Sequence, residues 1–331
     1  MERFIFRTSE KIRLDDFLRK KLPEAAGGGE FTNGKIRRLI VAGSVKVNGI
    51  QTKRPAFELR GNSTVHVEFD RQKFFYERQP DDVPFIMTQN DILFEDENLI
   101  FVNKPAFIPV EQTVTGNRAN LHDILVDFLW RRNPELRNPP YSGIMHRLDR
   151  ETSGVILFTK NRRINAAVHS MFENHEFGKI YTAVCAPVSG SSFFPGQKFY
   201  VENLIGRTSP KSRTSTWGPL PEKSGGLYAR TDFEIYGECD VGGRRCLLVR
   251  CRPLTGRTHQ IRVHLSGKGL PIAGDTLYGG PEFSCGTEIT IKTEEGTRKS
   301  KLERNRVLLH AERLTAHTET LEFDVRAPLP W

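Results

Sequence analysis

Apolar and polar positions along this chain change period several times, and the changes mark its elements. In the first 70 residues, Leu14, Phe17, Leu18 and Leu22 recur at helical spacing, with Pro23 ending a short helix. Beyond Gly27-Gly28-Gly29 a second helix is predicted over Lys35-Ile36-Arg37-Arg38-Leu39-Ile40-Val41, capped by Asn33 or Gly34 and stopped by Gly43. Its apolar face is Ile36, Leu39 and Ile40, which leaves Lys35, Arg37 and Arg38 outward. Val45-Lys46-Val47 then alternates into Asn48-Gly49, a strong hairpin signal, and Ser63 to Phe69 alternates again. Residues 71–89 hold Gln79-Pro80-Asp81-Asp82 and Pro84 without a sustained period and read as a linker.

Residues 90–331 read as a second domain. Ile92 to Phe94 and Leu99 to Val102 flank Glu95-Asp96-Glu97-Asn98, predicting a hairpin with its acidic turn in water. Asn120 caps a helix with Asp123 at its third position and Leu121, Ile124, Leu125, Phe128 and Leu129 in one stripe. Val155-Ile156-Leu157-Phe158 is a short apolar run after a Gly, the pattern of a buried strand. Ile164, Ala167, Val168, Met171 and Phe172 predict another amphipathic helix, capped by Asn161. Strand character follows at 179–185, 231–236, 245–252, 308–311 and 320–325. The whole predicts an α+β fold with a large mixed, mainly antiparallel sheet, because its hairpin connections are short. Residues 281–306 are polar and show no core face, so they are expected to form a mobile insertion.

Composition narrows the class. With 37% hydrophobic and 27% charged residues in 331, the chain has material for a core and for two or three domains. No apolar run approaches the ~18 residues of a membrane span, and Met1 to Arg7 lack a signal-peptide core. A cytoplasmic location is expected. The five cysteines are odd in number and include no C-x-x-C, which favours neither a disulfide framework nor a zinc site. Cys246 and Cys251 read as small apolar residues of a strand. The formal charge of +9 favours an anionic partner, nucleic acid first and an acidic membrane surface second. The first 70 residues carry much of it, with 14 Lys and Arg against 9 Asp and Glu.

Candidate chemistry concentrates at His146-Arg147-Leu148-Asp149-Arg150-Glu151-Thr152-Ser153-Gly154, which leads into the buried strand. Positive neighbours favour the charged carboxylate, and an ionised Asp can act as nucleophile or base. Taken alone, the nonapeptide reads more readily as a surface ion-pair cluster. Tyr181 could stack on a base or fill core. In Pro253 to Leu265, Thr255-Gly256 makes a turn and Thr258 can cap a short helix. Donors there, beside Arg257, suit a phosphate, and an arginine in this stretch could lock Asp149 through a bidentate pair. His259 and His264 stand five apart, off the i, i+4 spacing that shares a helix face, so no metal site is expected. Ile272-Ala273-Gly274-Asp275-Thr276-Leu277-Tyr278-Gly279 reads by itself as a structural turn.

Two resemblances connect these stretches. Arg13-Leu14-Asp15-x-Phe17-Leu18 with Ile36-x-x-Leu39-Ile40-x-x-Gly43-x-Val45-x-Val47-Asn48-Gly49 resembles an S4 RNA-binding domain. That resemblance assigns residues 1–70 and implies that Lys35, Arg37, Arg38 and Lys46 face RNA phosphates. His146-Arg147-Leu148-Asp149-x-x-Thr152-Ser153-Gly154, Lys179-x-Tyr181-x-Ala183 and Thr255-Gly256-Arg257-Thr258-His259-Gln260-Ile261-Arg262-Val263-His264 resemble motifs I, II and III of the pseudouridine synthases of the large ribosomal-subunit/tRNA class. Gly274-Asp275-x-x-Tyr278-Gly279, Asn103-Lys104-Pro105 and Leu309-His310-Ala311 also fit. The resemblance implies isomerisation of RNA uridine to pseudouridine without cofactor or metal, on a flipped-out base. It implies Asp149 as the catalytic carboxylate, Tyr181 as the ring stacked on uracil, and Arg262 as the partner that aims Asp149. Arg147, His146, Arg257 and His259 would contact RNA. Ribosomal RNA is the favoured substrate, tRNA the other; a monomer without membrane attachment is expected. A non-catalytic RNA-binding factor is the competing reading, disfavoured because nucleophile, stacking ring and cationic orienter occur together. A base deaminase is excluded by the missing H-x-E and C-x-x-C zinc signature.

Overall fold

The computed structural model describes residues 2–27, 31–70, 83–112, 119–209, 215–293, 296–319 and 321–331. The chain divides into two compact units, residues 1–82 with 112–118, and residues 83–111 with 119–331.

In the first unit, helices Leu14–Ala25 and Asn33–Val41 pack with a four-stranded antiparallel sheet. Its order is Glu2–Thr8, Ser63–Phe69, Val45–Val47, Ile50–Gln51. Leu14, Leu18, Leu22, Ile36, Leu39 and Ile40 are buried with Val45, Val65 and Val67 in one core. Asn48 and Gly49 both take positive φ, 50° and 82°, as a two-residue hairpin of matching twist requires. Two expectations change here. Pro23 does not end the first helix, which runs two residues further to Ala25 and closes with the Ala26 N–H donating to the Leu22 carbonyl at 2.9 Å. Lys35 is buried, not outward, while Arg37 and Lys46 are exposed and Arg38 is half-buried. A lysine stem can lie along apolar surface at the edge of a helix's buried face, so polarity alone misjudged its side. Residues 71–82 of the expected linker lie outside the described residues. Beyond them, Phe85 and Met87 already pack into the second unit's core.

The second unit is built on one large sheet. Its main path runs Trp217–Pro219, Lys198–Arg207, Leu227–Val241, Arg244–Pro253, Phe177–Cys185, Leu309–His317, Ser153–Thr159, Leu99–Lys104, Ile92–Glu95. Every neighbouring pair on this path is antiparallel except Ser153–Thr159 with Leu309–His317. The Ser153–Thr159 strand is buried throughout, as its unbroken apolar run predicts. Helix Leu121–Arg132 buries Leu121, Leu125, Phe128 and Leu129, and the Asn120 side chain accepts the Asp123 N–H at 2.9 Å. Cys246 and Cys251 are buried on their strand. At the acidic hairpin, Asp96 accepts the Asn98 and Leu99 N–H groups at 2.7 Å each. Glu95 instead pairs with Lys160 and Arg132, again at 2.7 Å each.

The polar stretch 281–306 is not an insertion without a core face. Glu288–Thr293 and Gly296–Lys301 form a hairpin whose first strand pairs with Leu227–Val241. Ile289, Ile291 and Leu302 are buried in the main core. Two apolar residues among Glu, Thr and Lys are too few to read as alternation, yet they suffice at a sheet edge where one face packs.

The single parallel pair matters most. It places Ser153 opposite His310 and Gly154 opposite Ala311. Gly154 has φ 114°, and a Cβ there would collide with the Ala311 carbonyl. Gly154→Ala should lower stability by about 3 kcal/mol, since an L side chain must strain the backbone and also push a pair of central strands apart. Denaturant unfolding reads this directly; a change under about 0.5 kcal/mol would contradict the close approach.

Candidate active site

A cleft of about 730 Å³ opens in the second unit, lined by Asp149, Tyr181, Arg257, His259, Arg262 and their neighbours. Its size suits one small substrate group. Three chain segments converge there. Asp149 sits in the turn just before strand Ser153–Thr159. Tyr181 lies on strand Phe177–Cys185, paired with Ala311 on one side and Cys251 on the other. The register shifts between Ile180 and Tyr181, the kind of irregularity that re-aims a side chain. Arg262 stands on helix Gln260–Gly267, directly after strand Arg244–Pro253.

Arg262 is buried, and its charge is answered by a second buried group. Its Nε and Nη2 donate to the two carboxylate oxygens of Asp275 at 2.7 and 2.8 Å. The remaining arm, Nη1, donates to Asp149 Oδ2 at 3.4 Å. Burial works against the guanidinium charge, but the hydrogen bonds and charge of Asp275, with Asp149 adding, hold it well above the usual arginine range. The bidentate partner expected for Asp149 therefore belongs to Asp275, and Asp149 receives the third arm. Asp275 read locally as a turn residue; nothing in its neighbours marks it as the counter-charge of a residue 13 positions away.

The flanking arginines of the nonapeptide have other partners. Arg147 pairs with Glu111 at 2.6 Å and Arg150 with Glu151 at 3.3 Å. His259 approaches Asp149 Oδ2 at 4.0 Å through Nε2, while its Nδ1 shares a 2.8 Å hydrogen bond with the Tyr278 hydroxyl. Burial lowers its pKa, with Asp149 opposing. His259 takes φ 55° at the helix start, displacing Thr258 from the expected cap. Burial raises the Tyr181 phenol above its ordinary value, and Asp149 adds to that, so the ring stays neutral.

His146 forms part of the cleft wall. Its Nε2 accepts the Leu157 N–H at 2.9 Å, and its ring lies 5.0 Å from that of Phe172. Burial, with Lys179 adding, holds its pKa down at about 3. Behind Asp149, fully buried Lys104 donates to the carbonyls of Pro105 and Arg150 at 2.8 and 3.0 Å, tying down the turn that carries the carboxylate. Burial, then Arg306, lowers its pKa to about 7. Ser153 and His310 are joined at 2.8 Å, and Arg306 donates to the Ser153 hydroxyl at 2.7 Å. Lys104, Arg306 and Asp275 were not singled out as site residues; a buried charge shows only when the chain that covers it is in place. His264 meets Thr231 and Asn203 at 3.0 and 3.1 Å. Among the described residues no group of three His, Cys, Asp or Glu gathers in a metal-holding arrangement.

Residues 98–267 match the family described as RNA pseudouridylate synthase. Over 321 residues the chain is 30% identical to ribosomal large subunit pseudouridine synthase D of Neisseria meningitidis serogroup A, covering 96% of this chain and 76% of that protein. It is likewise 30% identical over 324 residues to ribosomal large subunit pseudouridine synthase C of Escherichia coli K12, covering 96% and 89%. Human RNA pseudouridylate synthase domain containing 1 matches the fold at a TM-score of 0.51 and 25% identity, covering 72% of this chain and 83% of that one.

These matches define the class: the chain belongs to the RNA pseudouridylate synthase family. It is an RNA isomerase, a pseudouridine synthase.

The Arg262–Asp275 pair yields a stability prediction. Asp275→Asn leaves a buried guanidinium without its main counter-charge and should cost about 3–5 kcal/mol of unfolding free energy. Asp149→Asn, at a half-exposed and longer contact, should cost under about 1 kcal/mol. Equal losses from the two substitutions would contradict the assignment of Asp275 as the principal partner.

Proposed function

We propose that this chain converts uridine in large-subunit ribosomal RNA to pseudouridine, with Asp149 as the catalytic carboxylate. The observation that carries the reading is the convergence of Asp149, Tyr181 and Arg262 on one cleft from segments up to 113 residues apart. The names of the relatives from Neisseria meningitidis and Escherichia coli support the choice of RNA. The reaction breaks N1–C1′ and forms C5–C1′, and a proton leaves C5 as one is gained at N1, so atoms balance without an oxidant or reductant. A base within a helix cannot offer both C1′ and C5 to one carboxylate, so the nucleotide enters the cleft flipped. There Tyr181 stacks on the uracil. Arg262, fixed by Asp275, holds Asp149 aimed at the sugar. Arg147, His146, Arg257 and His259 contribute to the surface that meets RNA.

The first unit acts as an S4-like RNA-binding domain in the same proposal. Arg37 and Lys46, exposed on its helix and hairpin, supply phosphate contacts, and buried Lys35 does not. Arg38 is half-buried, and its Nε and Nη2 are buried without a hydrogen-bond partner among the described residues, so those two nitrogens are less open to RNA than the Arg37 and Lys46 side chains.

Asp149→Asn should abolish pseudouridine formation on a large-subunit ribosomal RNA transcript while leaving RNA binding within a few-fold. Retained turnover sinks the role of Asp149. Arg37→Glu with Lys46→Glu should weaken binding of the same transcript at least tenfold and flatten its salt dependence by about two contacts' worth. An unchanged affinity and slope would remove the first unit from RNA recognition.

A further inference from the structure

Of the four arginines and lysines lining the cleft, two have a carboxylate of their own. Arg147 has Glu111, and Arg262 has Asp275 and Asp149. Lys179 and Arg257 differ. Both line the cleft beside Tyr181 and His259. Neither has a carboxylate within ion-pair distance among the described residues. Lys179 Nζ makes only a long 3.4 Å contact to the Leu254 carbonyl. Arg257 donates its Nε to the Tyr228 carbonyl at 2.9 Å, and its terminal guanidinium nitrogens have no hydrogen-bond partner among the described residues.

Two unneutralised cations on the wall of a half-buried cleft repel each other, and the arrangement costs stability until an anion sits between them. That tension registers on Lys179, whose pKa falls to about 8 through burial and then through Arg257. The neighbouring His146 is held neutral and brings no counter-charge. The substrate class supplies the anion, because every linkage of RNA carries one negative charge. Lys179 sits two residues before Tyr181 on the same strand, and both line the cleft, so it lies next to the ring proposed to stack on uracil.

We propose that Lys179 and Arg257 form a phosphate-binding subsite that grips the RNA backbone beside the flipped uridine. The subsite rests on the pseudouridine synthase reading of the cleft. Lys179 acts as a point charge, and Arg257 offers the fork that planar recognition of phosphate uses. Together they hold the nucleotide out of its helix by its backbone, leaving Asp149 and Tyr181 to the sugar and base.

The test uses the full-length chain with a large-subunit ribosomal RNA transcript. Lys179→Gln should raise KM about tenfold while lowering kcat less than threefold. It should also reduce the slope of log affinity against log salt by about 0.7–0.9, the loss of one phosphate contact. Lys179→Arg should restore most of the affinity. Inorganic phosphate should compete with the transcript on the wild-type chain, and Arg257→Gln should weaken that competition at least fivefold. Phosphate competition that is unchanged by Arg257→Gln, or a Lys179→Gln variant with unaltered KM and salt slope, overturns the subsite. If Lys179→Gln does not fold, the phosphate arm decides alone. Wild-type isomerisation in the same assay separates the two levels. With turnover present and the variants silent, the subsite fails alone; with no turnover by the wild type, the assignment of the cleft fails.

Discussion

The buried pair between Arg262 and Asp275 is the constraint on which the cleft depends. A guanidinium beneath the surface is tolerable only when its donors and its charge are satisfied, and Asp275 does both with two short bonds. The pair therefore fixes the third arm of Arg262 in space, and Asp149 meets that arm at 3.4 Å. A carboxylate held by one arm of a rigid donor is oriented without being consumed by it. An Asp149 engaged bidentately would be less free to meet a substrate. The division of labour between two carboxylates, one buried and structural, one half-exposed and facing the cleft, follows from where each sits relative to the same guanidinium.

The sheet provides the frame for that arrangement. Its parallel pair joins Ser153–Thr159 to Leu309–His317 and leaves the Asp149 turn at the mouth of a strand buried on both faces. Gly154 lets the two strands approach, while the Lys104 ammonium pins the carbonyl after Asp149. Tyr181 shares its sheet position with Ala311, one residue past the partner of Ser153. The ring thus stands two strands across from Gly154, and the turn before that strand, held by Lys104 and Arg262, brings the carboxylate to the same cleft.

How far the sequence revealed this depended on the range of each cause. Helix Leu121–Arg132 and strand Ser153–Thr159 were legible because their apolar residues repeat at the spacing of the element they form. Asn48-Gly49 was legible because two residues define that turn. Strand Lys198–Arg207 and hairpin Glu288–Lys301 were not, because their buried positions are few and scattered among polar ones. Asp149, Tyr181 and Arg262 came together only through resemblance to a family, as no periodicity joins residues so far apart. Asp275, Lys104 and Lys179 stood in the motifs without a role of their own, because what sets them apart is burial, or the lack of a counter-charge. Both are properties of the assembled fold.

The central claim is that Asp149 in this cleft makes pseudouridine in RNA. Pseudouridine-specific chemical mapping of large-subunit ribosomal RNA decides it most directly. The comparison is between cells lacking the chain and the same cells supplied with the wild-type or the Asp149→Asn form. The expected map shows one or more uridines that lose modification without the chain, regain it with the wild type, and stay unmodified with Asp149→Asn. An unaltered map in the cells lacking the chain would contradict the substrate, and restoration by Asp149→Asn would contradict the chemistry.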